Sequence, residues 1–226
     1  MNSTVKRQAT ESASNPTDML IFFGKDGNKF FTNLNGEPYV CIDHHNSSKA
    51  VKFKSKTFRN YLMKRYYEET RQAPSPNAFA QAMGQLEADA TFSGQSKPVE
   101  LRVGEYAGKI YYDLHDGNGS VVEIDSTGWR ITRSCPVCFS SSQNMPQRLP
   151  QKSGNLKNLL KHVRFKSKAD KLLFLVYIVA CFIPAIPHPV LIFAGEKVAA
   201  KSSSSRLTRS IVDPAFRDIT SMPGGL

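Results

Sequence analysis

From Leu172 to Ser203 the chain reads LLFLVYIVACFIPAIPHPVLIFAGEKVAAKSS, and this stretch restricts the possible folds more than any other. It opens with twelve apolar residues, Leu172 to Ile183. Passing through Pro184, Pro187 and Pro189 it reaches a second apolar stretch, Val190 to Ala194. A membrane span needs about 20 residues of continuous helix. Three prolines within six residues would break one. The pattern therefore predicts a buried core helix followed by a buried strand. Membrane association through residues 172–193 is the competing reading, and the less favoured one.

The predicted strand runs straight into Gly195, and Lys201-Ser202 opens a polar, helix-competent segment that extends to about Val212. Between them lies GEKVAAKS, close to the phosphate loop G-x-x-x-x-G-K-[ST] but with Ala200 at the second glycine. Strand, loop and helix in that order is the setting the motif requires. In such a loop, backbone N–H groups and the helix N-terminus point at phosphate oxygens. Lys201 would neutralise the β- and γ-phosphates of ATP, and Ser202 would ligate Mg²⁺. An alanine where φ is positive costs on the order of 1 kcal/mol, so Ala200 is expected to weaken binding. Val198 is β-branched in a loop that favours small residues. A chance match to so relaxed a pattern is the alternative.

Charge adds a second pointer. Residues 131–226 hold 14 Lys+Arg against 4 Asp+Glu, whereas residues 1–130 are nearly balanced at 16 against 15. Such asymmetry suggests an anionic partner. The basic cluster is NLKNLLKHVRFKSK, with Lys157, Lys161, Arg164, Lys166 and Lys168 beside an apolar face of Leu156, Leu159, Leu160 and Val163. It predicts a basic amphipathic helix. Three readings stay open for it: a solvated face on a core helix, sequence-independent contact with the DNA backbone, or contact with anionic lipid.

The rest of the chain reads as follows. Residues 1–17 are polar and Ser/Thr-rich and predict a disordered tail without the apolar core of a signal peptide. Residues 18–134 predict one α+β domain: strands at MLIFF, KFFTNL, PYVCI and KAVKF, two helices from about Lys56 and Pro76, then strands at VELRVGEY, KIYYDL, SVVEID and GWRITR. Residues 135–155 read as a linker, and 156–226 as helices leading into the phosphate loop. Four cysteines in a chain this long do not form a disulfide framework, and a reducing cytoplasm suits them. Cys135-Pro-Val-Cys138 has zinc-knuckle spacing but no second ligand pair; His44 and His45 are the nearest candidates, and core packing of Cys138 beside an incidental Cys135 is the simpler account.

Several stretches in order, FRNYLMKRYYEE, ELRVGEYAGKIYYDL, VVEIDSTGWRI, PQRLPQKSGNLKNLLKHV and LLFLVYIVACFIPAIPHPVLIFAGEKVAAKSSSSRLTRSIVDP, resemble the ATP-binding proteins of phages and mobile elements, P-loop ATPases related to primase-associated replicative helicases. The resemblance covers about Phe30 to Pro214. The family's loop has the form G-E-K-G-S-A-K-S-T, so Ala200 matches it while Val198, Ala199 and Ser203 depart from it. It implies an ATP- and Mg²⁺-binding loop formed by Gly195, Glu196, Lys197, Val198, Ala199, Ala200, Lys201, Ser202 and Ser203. It also implies a role in DNA replication beside primase or helicase partners, and ring oligomers. Relative to the family the chain stops after the first βα unit of the α/β core, so a truncated form is expected. Neither Asp213 nor Asp218 ends an apolar strand, and no Walker B carboxylate or arginine finger can be placed. The expected fold is thus an α+β N-terminal domain, then helices and the first βα unit of an incomplete P-loop NTPase core, binding ATP without hydrolysis. A non-enzymatic nucleic-acid-binding module is the alternative.

Overall fold

A computed structural model describes residues 15–44, 47–92, 94–140 and 144–217. The tail expected at 1–17 lies mostly outside them. The fold mixes α and β and divides into two compact units, residues 1–99 and 100–226. The boundary falls inside the span 18–134 that the sequence grouped as one domain.

In the first unit, MLIFF is helical rather than a strand. Helix α1 (Pro16–Lys25) starts at Asn15, whose side chain accepts the Thr17 N–H, with Pro16 at the first helical position. This is a strong start signal, since proline lacks only an N–H that would be unsatisfied there anyway. Leu20 and Phe23 then fall on one buried face. Strands β1 (Lys29–Thr32), β2 (Pro38–His44) and β3 (Ser47–Lys52) form an antiparallel sheet in the order β1-β2-β3. Helices α2 (Lys56–Thr70) and α3 (Pro76–Thr91) begin where expected, capped by the side chains of Ser55 and Ser75. Their inner residues, Phe58, Leu62, Tyr66, Phe79 and Leu86, join Leu20, Phe23, Val40 and Phe53 in one core. Arg65 closes the end of α1 by donating to the Phe23 carbonyl at 2.8 Å and pairing with the Asp26 carboxylate.

The second unit is built on a four-stranded antiparallel meander. After the two-residue strand β4 (Val99–Glu100), it comprises β5 (Val103–Tyr106), β6 (Lys109–Asp113), β7 (Val121–Asp125) and β8 (Gly128–Thr132), in the order β5-β6-β7-β8. A short strand β9 (Cys138–Phe139) follows. Tyr112, Leu114 and Val122 form one cluster with Phe182. Half-buried Cys135 packs against a second cluster, Tyr111, Val121 and Phe139, so it is not incidental.

The expected linker is a strap. Asn144, buried, donates to the Leu101 carbonyl at 2.8 Å, and the Gln147 amide donates to the carbonyls of Ser210 and Ile211. The basic amphipathic helix is instead a 3₁₀ helix, Leu156–Lys161. Helix α4 (Lys168–Ala180) carries a capping box, in which Ser167 and Asp170 exchange side-chain and backbone bonds. Only Phe174 and Ile178 of α4 are buried; Leu172, Leu173, Val176 and Val179 face outward, so it is not the fully buried helix expected. At thirteen residues α4 is about 20 Å long. No helix among the described residues is long and apolar enough to cross a membrane. Val190 to Ala194 is extended but joins no ladder, and alternates: Leu191 and Phe193 pack onto the Val163–Phe174–Ile178 cluster, while Val190 and Ile192 are 85% and 79% exposed. The buried strand expected there is therefore not formed among the described residues, and the segment that stands in its place is only half-buried. Helix α5 (Lys201–Val212) lies where expected.

Candidate phosphate-binding site

The loop between the extended segment and α5 is built by close backbone approaches. A Cβ on Gly195 would come within 3.2 Å of the Ala199 Cβ, so the loop closes tightly on that glycine. The Ala199 N–H donates to the Glu196 carbonyl at 3.3 Å, making a turn over residues 196–199. Two residues take the left-handed region: Val198 at φ 67° and Ala200 at φ 55°. Left-handed residues in such a turn aim backbone N–H groups into a concavity suited to anions. Every residue from Gly195 to Ala200 is exposed, and Val198 touches nothing, at 101%.

Ala200 is also the N-cap of α5, and it offers no side-chain bond. The N–H groups of Lys201, Ser202 and Ser203 precede the first intrahelical bond, which Ser204 makes to the Ala200 carbonyl at 2.9 Å. The partial positive charge of the helix end falls there too. The Lys201 Nζ donates to the carbonyls of Gly195 (2.8 Å) and Glu196 (2.7 Å), drawing the cation over the loop. Of the four consecutive serines, Ser204 and Ser205 turn their hydroxyls onto the Ala200 and Lys201 carbonyls. Ser202 and Ser203 are exposed in the first turn and make no such bond. Lys201, Ser202, the amides of the first turn of α5 and the left-handed residues Val198 and Ala200 thus stand together. These groups fit a phosphate with a bound cation: donors on the backbone, one ammonium, and an unengaged hydroxyl beside it.

The α5 helix is held at its far end. Arg102, 3% exposed, donates to Asp213 Oδ1 (3.1 Å) and to the carbonyls of Asp113 (3.0 Å), Met145 (2.9 Å) and Pro214 (3.0 Å). The Tyr112 hydroxyl donates to the Val212 carbonyl at 2.9 Å. Asp213 is therefore engaged by a buried guanidinium about one helix length from Ser202. Asp218 lies outside the described residues.

The five cations read as DNA contacts are all exposed and make no ion pair among the described residues: Lys157 and Lys161 on the 3₁₀ helix, Arg164 and Lys166 in the loop after it, Lys168 at the start of α4. The sequence reading missed the cleft beside them. A cavity of about 500 Å³ is lined by Arg164, Phe165, Lys166, Phe174, Tyr177 and the segment 189–194. The alternation Arg164-Phe165-Lys166 was the available signal. No group of three or more His, Cys, Asp or Glu residues among those described could hold a metal; His45 lies outside them. Burial pushes the Cys135 thiol up to about 11.

No family model, no curated protein and no solved structure matches this chain.

Proposed function

We propose that this protein binds ATP with Mg²⁺ through residues 195–203, a loop that leads into α5 as a phosphate loop leads into its helix, although the strand expected before it is not formed. The observation that carries the reading is the left-handed backbone at Val198 and Ala200, directly before the uncapped first turn of α5. A chance match to the motif has no reason to hold a β-branched residue at φ 67°. A loop descended from a phosphate cradle does, because the family it resembles has glycine at that position. In this reading the amides of Lys197, Val198 and Ala200 to Ser203 line the phosphates, Lys201 leaves its carbonyls for the β/γ-phosphate oxygens, and the Ser202 hydroxyl takes the cation. Asp213, tied to Arg102, does not serve as a second Mg²⁺ ligand, so we expect binding without turnover. The setting, DNA replication in a phage or mobile element beside a primase or helicase in the cytoplasm, follows from the resemblance of the quoted stretches.

The test is binding of a fluorescent ATP analogue with Mg²⁺ to the wild-type chain, Lys201→Ala and Ser202→Ala. Binding that is lost in the first and loses its Mg²⁺ dependence in the second supports the reading. Binding unchanged in both, or absent from a folded wild-type chain, overturns it. A second reading, a non-enzymatic nucleic-acid-binding module, is favoured by the exposed, unpaired cations from Lys157 to Lys168. Salt-sensitive DNA binding that ignores ATP and survives Lys201→Ala would select it.

A further inference from the structure

The cleft beside the basic segment combines two chemistries. Its walls are aromatic and aliphatic: Phe165, Tyr177 and Phe193, with Val190 and Ile192 along the extended segment. The Phe165 and Phe193 rings each pack at a tilt on the buried Phe174, with centroids 5.3 Å and 6.3 Å from its own, so Phe174 fixes two half-buried rings at the cleft. Two cations line the same cavity, Arg164 and Lys166, both exposed and without an ion pair among the described residues. The carboxylate that also lines it, Asp170, is engaged by the Ser167 N–H at 3.1 Å.

We propose that this cleft binds single-stranded nucleic acid, with one base against the half-buried ring of Phe165 or Phe193 and the flanking phosphates on Arg164 and Lys166. Charge complementarity selects a polyanion. Lys157, Lys161 and Lys168 continue the row of unpaired cations beyond the cavity, more than one isolated anionic group would engage. Concavity selects a base. A membrane-surface segment presents a convex apolar face to lipid, whereas a cavity of about 500 Å³ receives a planar group from outside. The strand must be single, because a duplex keeps its bases paired and stacked, while an unpaired strand offers each base to an aromatic platform. The inference rests on the second reading above, joins the basic segment to the rings of α4 and residues 190–193, and is independent of nucleotide binding at Lys201.

The experiment measures fluorescence anisotropy of a labelled oligothymidylate with the full chain across a salt series. Competitors are a duplex of equal length and phosphatidylglycerol vesicles. For single strands the salt slope is about −0.7 per phosphate contact. The pair Arg164→Glu with Lys166→Glu is therefore expected to lower the slope by about 1.4 and weaken binding at least about tenfold, while Lys29→Glu with Lys56→Glu, exposed in the other unit, leaves it unchanged. Phe165→Leu keeps apolar volume but removes the ring, and a stacking loss of this kind is about five- to hundredfold. An oligomer carrying 5-iododeoxyuridine is expected to photocrosslink to Phe165, Tyr177 or Phe193. Equal affinity for duplex, or vesicle binding without oligothymidylate binding, overturns the proposal. Loss of affinity in the charge-reversed pair with none in Phe165→Leu, and no adduct on a cleft ring, overturns the base pocket and leaves only backbone contact.

Discussion

Replacing Val198 by glycine is expected to stabilise the second unit, although glycine at an exposed position ordinarily does the reverse. Val198 is at φ 67° and fully exposed, so its side chain contributes no packing that the change would remove. Holding a non-glycine residue in the left-handed region costs about 1–2 kcal/mol, and a β-branched residue sits at the unfavourable end. Against this, glycine gives the unfolded chain extra freedom worth about 0.5–1 kcal/mol. The balance is a gain on the order of 0.5–1 kcal/mol. The chain has a single tryptophan, Trp129, which lies in β8 of the same unit as the loop, so urea unfolding followed by its fluorescence reads the right transition. Val198→Gly should raise the urea midpoint with an unchanged slope. Lys197→Gly, next to it, exposed and not at positive φ, should lower the midpoint by about 0.5–1 kcal/mol equivalent. If both variants lose stability alike, the loop is not held in the left-handed turn described, and the argument for a phosphate cradle loses its main support. If the cradle reading holds, Val198→Gly should also bind the ATP analogue more tightly, because less of the binding energy is spent on fixing the turn.

Three further outcomes follow from the second unit. Arg102→Ala should cost about 3–5 kcal/mol in the same Trp129 assay, since it strips a buried cation from Asp213 and three carbonyls at once and leaves those acceptors unpaired. The Lys109 ammonium, and after it the Arg130 guanidinium, hold the Glu123 carboxyl below its ordinary 4.5. Its contribution to stability is therefore present above pH 4.5 and lost as pH falls through the lowered value, so Glu123→Gln should flatten the fall of the urea midpoint on acidification below that pH. Cys135, raised from 9.0 to about 11 by burial, keeps its proton at pH 8; its alkylation by iodoacetamide, mapped by mass spectrometry, should run about 100-fold slower in the folded chain than in urea.

The elements legible in the sequence were those whose signals are local. Ser55 announced α2 and Pro76-Asn77 announced α3, and the spacing of Phe58, Tyr61, Leu62 and Tyr66 gave the inner face, with Tyr61 only partly buried. The hairpins of β5 to β8 followed from short turns between alternating runs. The misreadings share one cause: a short apolar run has no intrinsic period, and its neighbours decide. MLIFF reads as a strand until Asn15-Pro16 is taken as a helix start. Residues 144–147 read as a linker because polarity was taken for freedom, whereas Asn144 and Gln147 spend their amides tying the strap to the Leu101 carbonyl and the end of α5. Leu156 to Val163 has helical spacing yet forms only a 3₁₀ helix, which buries none of its own residues.

The helix start at Lys201 was legible in the sequence, the strand expected before the loop is not formed, and the loop between them departs from the motif at particular residues. Two positions stood out in the sequence as wrong for a phosphate loop, Val198 where the loop of the family it resembles has glycine and Ala200 where the general motif has it. Those two, and no others from Gly195 to Ser203, hold positive φ. A side chain at each adds strain without changing the path of the backbone, because the path is held by Lys201 bridging the Gly195 and Glu196 carbonyls, by the Glu196–Ala199 turn and by the start of α5. The departures therefore act on energy more than on geometry. Lys201 is the residue on which both depend: its ammonium holds the turn closed, and the same ammonium must swing away to meet a phosphate. A Lys201→Met variant separates these roles. Loss of analogue binding with an unchanged Trp129 urea midpoint would assign the lysine to the anion. A midpoint lowered by about 1 kcal/mol equivalent, from two lost hydrogen bonds to carbonyls at an exposed site, would make it first a brace of the loop.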